Sequence, residues 1–239
     1  MNKIEIKLVD EEHVVNKCLS LNRKGKDKSL DSKFRIINAA KEEFTSHGFD
    51  AARIDEIARK AEVNKQLIYY YFGSKDSLFT EVLKESYKKL RQAEVIDNFD
   101  NLTAYDSIMK LIELDWNFYT AHPELIFMLA SENLKDGIHI ESQREAFWEI
   151  NKVWGETTNK ILEKNKTCRT IREDIDPMQL NISIASLVIF YIMNMKTLSL
   201  SFDVNLNTKE MIDKRLQAIK EIIGDWIRPK NIKGEESER

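Results

Sequence analysis

The stretch VNKQLIYYYFGSKDSLF, residues Val63–Phe79, crowds together side chains suited to contact chemistry: Lys65, Gln66, Tyr69, Tyr70, Tyr71 and Lys75. On a helix, successive residues point about 100° apart, so three consecutive tyrosines cannot share one buried face. One tyrosine could cover a small core; three in a row leave a phenol facing outward beside an ammonium and an amide. These groups bind rather than turn over. Elsewhere the chain has no Gly-rich phosphate loop, no His-x-x-x-His pair and no serine or cysteine in a recognisable nucleophile setting, which argues against an enzyme. His13, His47, His122 and His139 are scattered, so no metal is indicated. Cys18 and Cys168 are too few for a disulfide framework, and no cofactor motif is present.

The elements that must position these side chains are helical. Of 239 residues, 42% are apolar and 32% charged, with only 7 Gly and 3 Pro, too few turn formers for a large sheet. Asp31 or Ser32 is expected to cap a first helix with Phe34, Ile37, Ala40 and Phe44 on one face and Gly48 as its stop. A second, short helix carries Ile54, Ile57, Ala58 and Ala61. Glu62, Val63 and Asn64 leave room only for a tight turn, after which Asn64 caps a third helix anchored by Ile68 and Phe72. Gly73 ends it, and Ser74 caps a fourth with Leu78, Phe79, Val82 and Leu83. This is the spacing of a helix-turn-helix.

Further helices follow. Thr103 is expected to cap one running to His122, Pro123 opens the next, and Asp136-Gly137 closes it. Gln143 to Lys164 carries an apolar stripe through Phe147, Ile150, Val153 or Trp154, Thr157 and Ile161. Asp176, Pro177 and Gln179 combine a cap, an N1 proline and a capping-box partner. Thr208 opens a last helix that ends before Pro229. Met178 to Met195 has no charged residue. Length alone would allow a membrane span, but Gln179, Asn181, Ser183, Ser186 and Asn194 interrupt it. A helix apolar nearly all round also suits burial between its own subunit and a partner, and the helices around 177–198 and 208–227 are expected to form a homodimer with no membrane contact.

Charge is divided along the chain. Residues 22–90 hold 15 Lys/Arg against 11 Asp/Glu, whereas residues 91–239 hold 19 against 25. That asymmetry suits one part facing an anionic partner. Residues 1–28 show no helical period and no secretory signal; a flexible extension and a cytoplasmic protein are expected, with Arg23, Lys24, Lys26 and Lys28 available to lie along phosphates. The expected organisation is this extension, a head at 29–83, a helical domain at 84–230 and a tail at 231–239.

The segment IINAAKEEFTSHGFDAARIDEIARKAEVNKQLIYYYFGSKDSLFTEVL resembles the DNA-binding domain of TetR-family transcriptional regulators. The resemblance lies in Ala39-Ala40, Phe44, Gly48, Ile57-Ala58, Ala61, Val63, Ile68-Tyr69-Tyr70, Phe72 and Ser74-Lys75 with Leu78. It implies an all-α protein: a three-helix DNA-binding domain followed by a helical ligand-binding and dimerisation domain. It also implies that Lys65, Gln66 and Tyr69 face base edges in the major groove of double-stranded operator DNA, while Tyr70, Tyr71 and Lys75 touch phosphates. Their chemistry agrees: Gln66 can bond adenine bidentately, Lys65 can donate to guanine, and Tyr69 can pack on a thymine methyl. Two positions depart from the family pattern. Arg53 replaces a threonine that caps the second helix, removing a hydroxyl cap worth about 1 kcal/mol while adding reach to DNA. Glu62 stands where glycine is common, so a left-handed backbone there is strained.

The implied activity is a dimeric repressor of a palindromic operator, released by a small-molecule effector. Trp116, Tyr119, Phe127, Glu132, Trp148, Asn151, Trp154 and Tyr191 are the bulky or polar groups expected to line the effector site. The rival readings are a DNA-bound scaffold that uses the same fold without an effector, and a thiol sensor acting through Cys18 or Cys168.

Overall fold

The computed structural model describes residues 26–95 and 99–229, and the regular elements among them are all helices. Most of the N-terminal extension lies outside the described residues, with Arg23, Lys24 and Cys18, as does the 231–239 tail. The first helix, α1 (Lys26–Ala51), begins ahead of the expected cap, with Lys26 and Lys28 in its first turn. Asp31 instead pairs with Arg35 at 3.2 Å. The expected apolar face also needs correction, because Phe34 is 60% exposed while Ile36, Ala39, Ala40 and Phe44 are buried. Phe34 precedes Ile36 by two residues, about 200° around the helix, and so points away from the core. Gly48 interrupts α1 at φ 69° and ψ 177°, a conformation essentially reserved for glycine.

Next come α2 (Ile54–Lys60) and α3 (Lys65–Phe72), joined by a turn in which Glu62 is left-handed at φ 54°. Arg53 makes no side-chain cap at the start of α2. Buried Glu43 of α1 anchors this start through a different donor: its carboxylate accepts the N–H of Arg53 itself at 3.2 Å and the Lys60 ammonium at 3.2 Å. Burial pushes the Glu43 carboxyl up, but the Arg53 N–H, Lys60 and His47 outweigh it and hold it below its usual value. Helix α4 (Lys75–Val95) opens with the expected Ser74 cap, which accepts the Ser77 N–H at 3.0 Å. Leu78, Phe79, Val82 and Leu83 are then fully buried, and α4 continues out of the head into the bundle.

The bundle comprises α5 (Ala104–Ala121), α6 (Pro123–Asn133), α7 (Ile138–Glu141), α8 (Arg144–Cys168), α9 (Pro177–Ser201) and α10 (Lys209–Ile227). Thr103 accepts the Asp106 N–H at 3.1 Å, Asp176 the Gln179 N–H at 2.8 Å, and Thr208 the Met211 N–H at 3.3 Å, as their spacing predicts. Central α5 packs on α4, α8, α9 and α10. The buried hydroxyl of α8 is Thr158, one residue beyond the expected Thr157, and it donates to Asn181 Oδ1 of α9 at 2.7 Å.

Head and bundle are tied where α1 packs along α6. Lys41 donates to Glu124 at 2.9 Å, and His122 Nδ1 lies 3.1 Å from the same oxygen. Burial raises the Glu124 carboxyl, but His122 and Lys41 more than offset it and bring it down to about 2. A depressed carboxyl adds stability above its ordinary range, and that contribution fades as pH falls from about 4.5 through 2. At neutral pH Glu124→Gln is expected to cost about 1–3 kcal/mol, allowing for partial solvent screening. Urea midpoints measured from pH 7 downward check this: the gap between wild type and variant should narrow below pH 4.5. A gap that stays constant there would count against the tie.

Candidate nucleic-acid interface and effector site

Helix α3 is fixed from below and free above. Asn64 Oδ1 accepts the Leu67 N–H at 2.8 Å, which sets the helix start, and Ile68 is buried against the head. Lys65, Gln66, Tyr69 and Tyr70 face solvent, Tyr70 being 80% exposed. Tyr71 turns towards α1: its ring lies 5.3 Å from the Lys33 ammonium and 5.3 Å edge-on from Tyr70. The third side of α3 therefore looks out of the molecule. Arg53 is exposed at the start of α2, and Arg53, Asp55 and Tyr69 all act electrostatically on Lys65. The beginning of α2 and the first turns of α3 thus border the same space.

Two of the cations are already engaged. Lys65 pairs with Asp55 at 2.9 Å, and this hydrogen-bonded carboxylate lifts its ammonium above the usual range. The Lys75 ammonium donates to the Asp50 carbonyl at 3.1 Å and sits 4.9 Å from the centre of the Phe49 ring. Both hold donors near a surface rich in amide and phenol groups, the set that reads base edges and positions phosphates. Lys33, stacked on Tyr71, is a further cation at this edge. No sequence motif marks it; only the folded head brings the Lys33 ammonium over the Tyr71 ring.

The expected effector residues divide in the structure. Trp116 and Tyr191 are buried with ring centres 5.8 Å apart, and Tyr119 is buried on the same helix as Trp116. Tyr191 donates its hydroxyl to the Leu206 carbonyl at 2.8 Å. Asn151 and Trp154 meet around Arg91, whose Nε donates to Asn151 Oδ1 at 3.1 Å and whose guanidinium lies 4.6 Å from the Trp154 ring centre. The series Leu83, Tyr87, Arg91 at four-residue steps was the available signal that this arginine points inward. Phe127 and Trp148 do not join the interior: they are 42% and 60% exposed, because Met128 and Phe147 occupy the buried sides of α6 and α8. Glu132 is buried but its oxygens serve the backbone and His139. Cys168 Sγ accepts the Ala104 N–H at 3.5 Å, and the Thr170 hydroxyl, with this and other backbone contacts, holds the thiol below its usual value. Among the described residues, no group of three His, Cys, Asp or Glu side chains is placed to hold a metal.

A short turn between α2 and α3, with the solvent-facing side of α3 built from hydrogen-bonding groups, defines a helix-turn-helix DNA-binding protein. The family model described as bacterial regulatory proteins, tetR family, matches residues 36–82, and the tetracyclin repressor-like C-terminal domain matches residues 105–223. The HTH-type transcriptional repressor NicS of Pseudomonas putida is 34% identical over 178 residues, covering 73% of this chain and 82% of NicS. FadR from Bacillus subtilis, solved with stearoyl-CoA, superposes with a TM-score of 0.60 at 19% identity, covering 82% of this chain and 99% of FadR. A transcriptional regulator from Saccharomonospora viridis, solved with choline, gives a TM-score of 0.64 at 18% identity and covers 82% of this chain and 97% of its own. At such identities the structures share the fold alone. The chain belongs to the TetR family of transcriptional regulators.

Proposed function

We propose that the protein is a cytoplasmic, dimeric repressor that reads a palindromic operator through α3 and releases it when a small molecule binds the bundle. The observation that carries this reading is the outward face of α3, where Gln66, Tyr69 and Tyr70 stand exposed between Lys65 and Lys75. The name of the Pseudomonas putida relative supports repression, and the stearoyl-CoA and choline complexes support the kind of effector. Residues 29–83 are the reading domain and residues 84–230 the effector and dimerisation domain. The effector seat is assigned to Trp116, Tyr119 and Tyr191, together with Asn151 and Trp154, which meet around Arg91. Phe127, Trp148 and Glu132 are left out for the reasons given above.

The dimer is assigned to α9 and α10. By length and composition α9 could cross a membrane, but its inner side, Leu180, Ile184, Val188 and Ile192, is bundle core. Its outer side exposes Met178, Ile182, Phe190 and Met193, and Ile182 shares an apolar groove with Ile222 of α10. A two-fold partner covers such a face and sets two α3 helices roughly 34–36 Å apart, one turn of DNA. An effector that prefers another spacing lowers DNA affinity by its differential affinity for the two arrangements.

Selection of duplexes from a random pool tests the reading. A palindrome bound with a steep salt slope supports it; unrelated sequences would count against it. The double variant Ile182→Glu, Ile222→Glu is expected to sediment as a monomer and to lose at least about tenfold in operator affinity, since each half-site then binds alone. A variant that kept a dimer mass would displace the interface from α9 and α10.

A further inference from the structure

His139 is 3% exposed, yet its Nε2 has no hydrogen-bond partner. It sits where bundle and head meet. On the bundle side, Glu132 Oε1 accepts the His139 N–H at 2.8 Å and the Ile140 N–H at 3.1 Å, while Oε2 lies 2.6 Å from His139 Nδ1. That carboxylate fixes the ring and keeps a proton on Nδ1. On the head side, the ring lies 4.5 Å from Phe49 and 4.9 Å from Phe79, centre to centre, and Nε2 is 3.4 Å from Asp76 Oδ1. Asp76 is in the first turn of α4, next to Lys75.

We propose that His139 is a proton-operated positioning residue for the DNA-reading head. With a proton on Nε2 the ring carries positive charge between Glu132 and Asp76 and ties α6–α7 to the start of α4; without it, a nitrogen lone pair faces the Asp76 carboxylate and that arm is lost. This rests on the proposed DNA-reading role of α3 and Lys75. The charged groups around the ring leave Asp76 as its counterpart on the head side. From α6 comes Glu132, from the turn between α6 and α7 Lys135, from α4 Asp76 and Lys75, and from the end of α1 Asp50. Lys135 pairs with Asp50 at 2.7 Å, and Lys75 donates to the Asp50 carbonyl. Gln143, at the start of α8, is neutral and accepts from Lys84. A carboxylate beside Lys75 repels the phosphate that Lys75 would take, and an imidazolium behind that carboxylate offsets it. Proton uptake at His139 and DNA binding therefore favour each other.

The test is operator affinity from pH 8.0 to 5.5 at fixed salt, for wild type, His139→Gln and Asp76→Asn, on the duplex selected above. Wild-type affinity is expected to rise by about three- to tenfold towards the acid end beyond any slope left in His139→Gln. Asp76→Asn should show the same loss of slope and bind at least as tightly as wild type at its acid limit. Variants that keep the wild-type slope overturn the proposal. Asp76 is exposed, so its variant decides alone if His139→Gln does not fold. Should wild type select no duplex, the DNA-reading role fails, and the joint is decided separately by nitrogen NMR of the imidazole in the free protein. There, an Nε2 signal that titrates differently in Asp76→Asn supports the contact, and identical titration overturns it.

Discussion

Glu132→Ala is expected to cost the fold about 3–5 kcal/mol, more than any surface change in the head. The carboxylate is buried and accepts two backbone N–H groups as well as the imidazole of His139. Alanine leaves those donors without acceptors in a site closed to water, and each stranded buried donor costs about 1–3 kcal/mol. It also opens a space between α6 and α7 that the short α7 helix has little packing to close. For a chain of this length the melting temperature should fall by about 10 °C. Glu132→Gln keeps one oxygen for the two amides and should lose clearly less. Chemical unfolding of both variants checks this, and an alanine variant within about 0.5 kcal/mol of wild type would show that the cluster is ornamental.

The second large effect separates the two roles proposed for Gln66 and Lys75. Gln66→Ala should cost about 1–3 kcal/mol on the preferred operator and relax the preference at one base pair, because a bidentate amide-to-base contact is lost. Lys75→Ala should weaken matched and scrambled duplexes alike and reduce the salt slope by about one, because a phosphate contact carries no sequence information. Gln66 is exposed and Lys75 half-buried with one hydrogen bond to the Asp50 carbonyl, so Gln66→Ala should leave the urea midpoint in place and Lys75→Ala should cost no more than about 1 kcal/mol. Salt titrations on the two duplexes distinguish the cases. Identical behaviour of the two variants on both duplexes would sink the assignment.

Much of the architecture was legible because it follows from local rules. Asn64, Thr103, Asp176 and Thr208 sit where a side-chain oxygen can reach an N–H two or three residues on, and each does so. Ile54, Ile57, Ala58 and Ala61 repeat at helical steps and are all buried. The run of three tyrosines could not be hidden on one helix, so an outward-facing α3 was implied by geometry alone. α1 starts ahead of Asp31 because that carboxylate has a choice: it pairs with Arg35 one turn later, inside a helix already under way.

What the chain order could not supply is which neighbour covers each face. Periodicity put Phe34, Phe127 and Trp148 on helices with apolar stripes, but only packing shows that Ile36, Met128 and Phe147 take the buried sides. The start of α2, which lacks a side-chain cap at Arg53, is anchored instead by Glu43 from a different helix, which accepts the Arg53 N–H. Glu132 looked like a pocket residue and is instead the anchor of His139, which in turn meets Asp76 more than sixty positions earlier in the chain. The helices, their caps and the outward face of α3 were readable in the chain order, since those depend on residues within one turn of each other. The tertiary structure decided where buried charges find partners, since a buried carboxylate or imidazole is satisfied by whatever group the fold brings within about 3 Å, however distant in the chain.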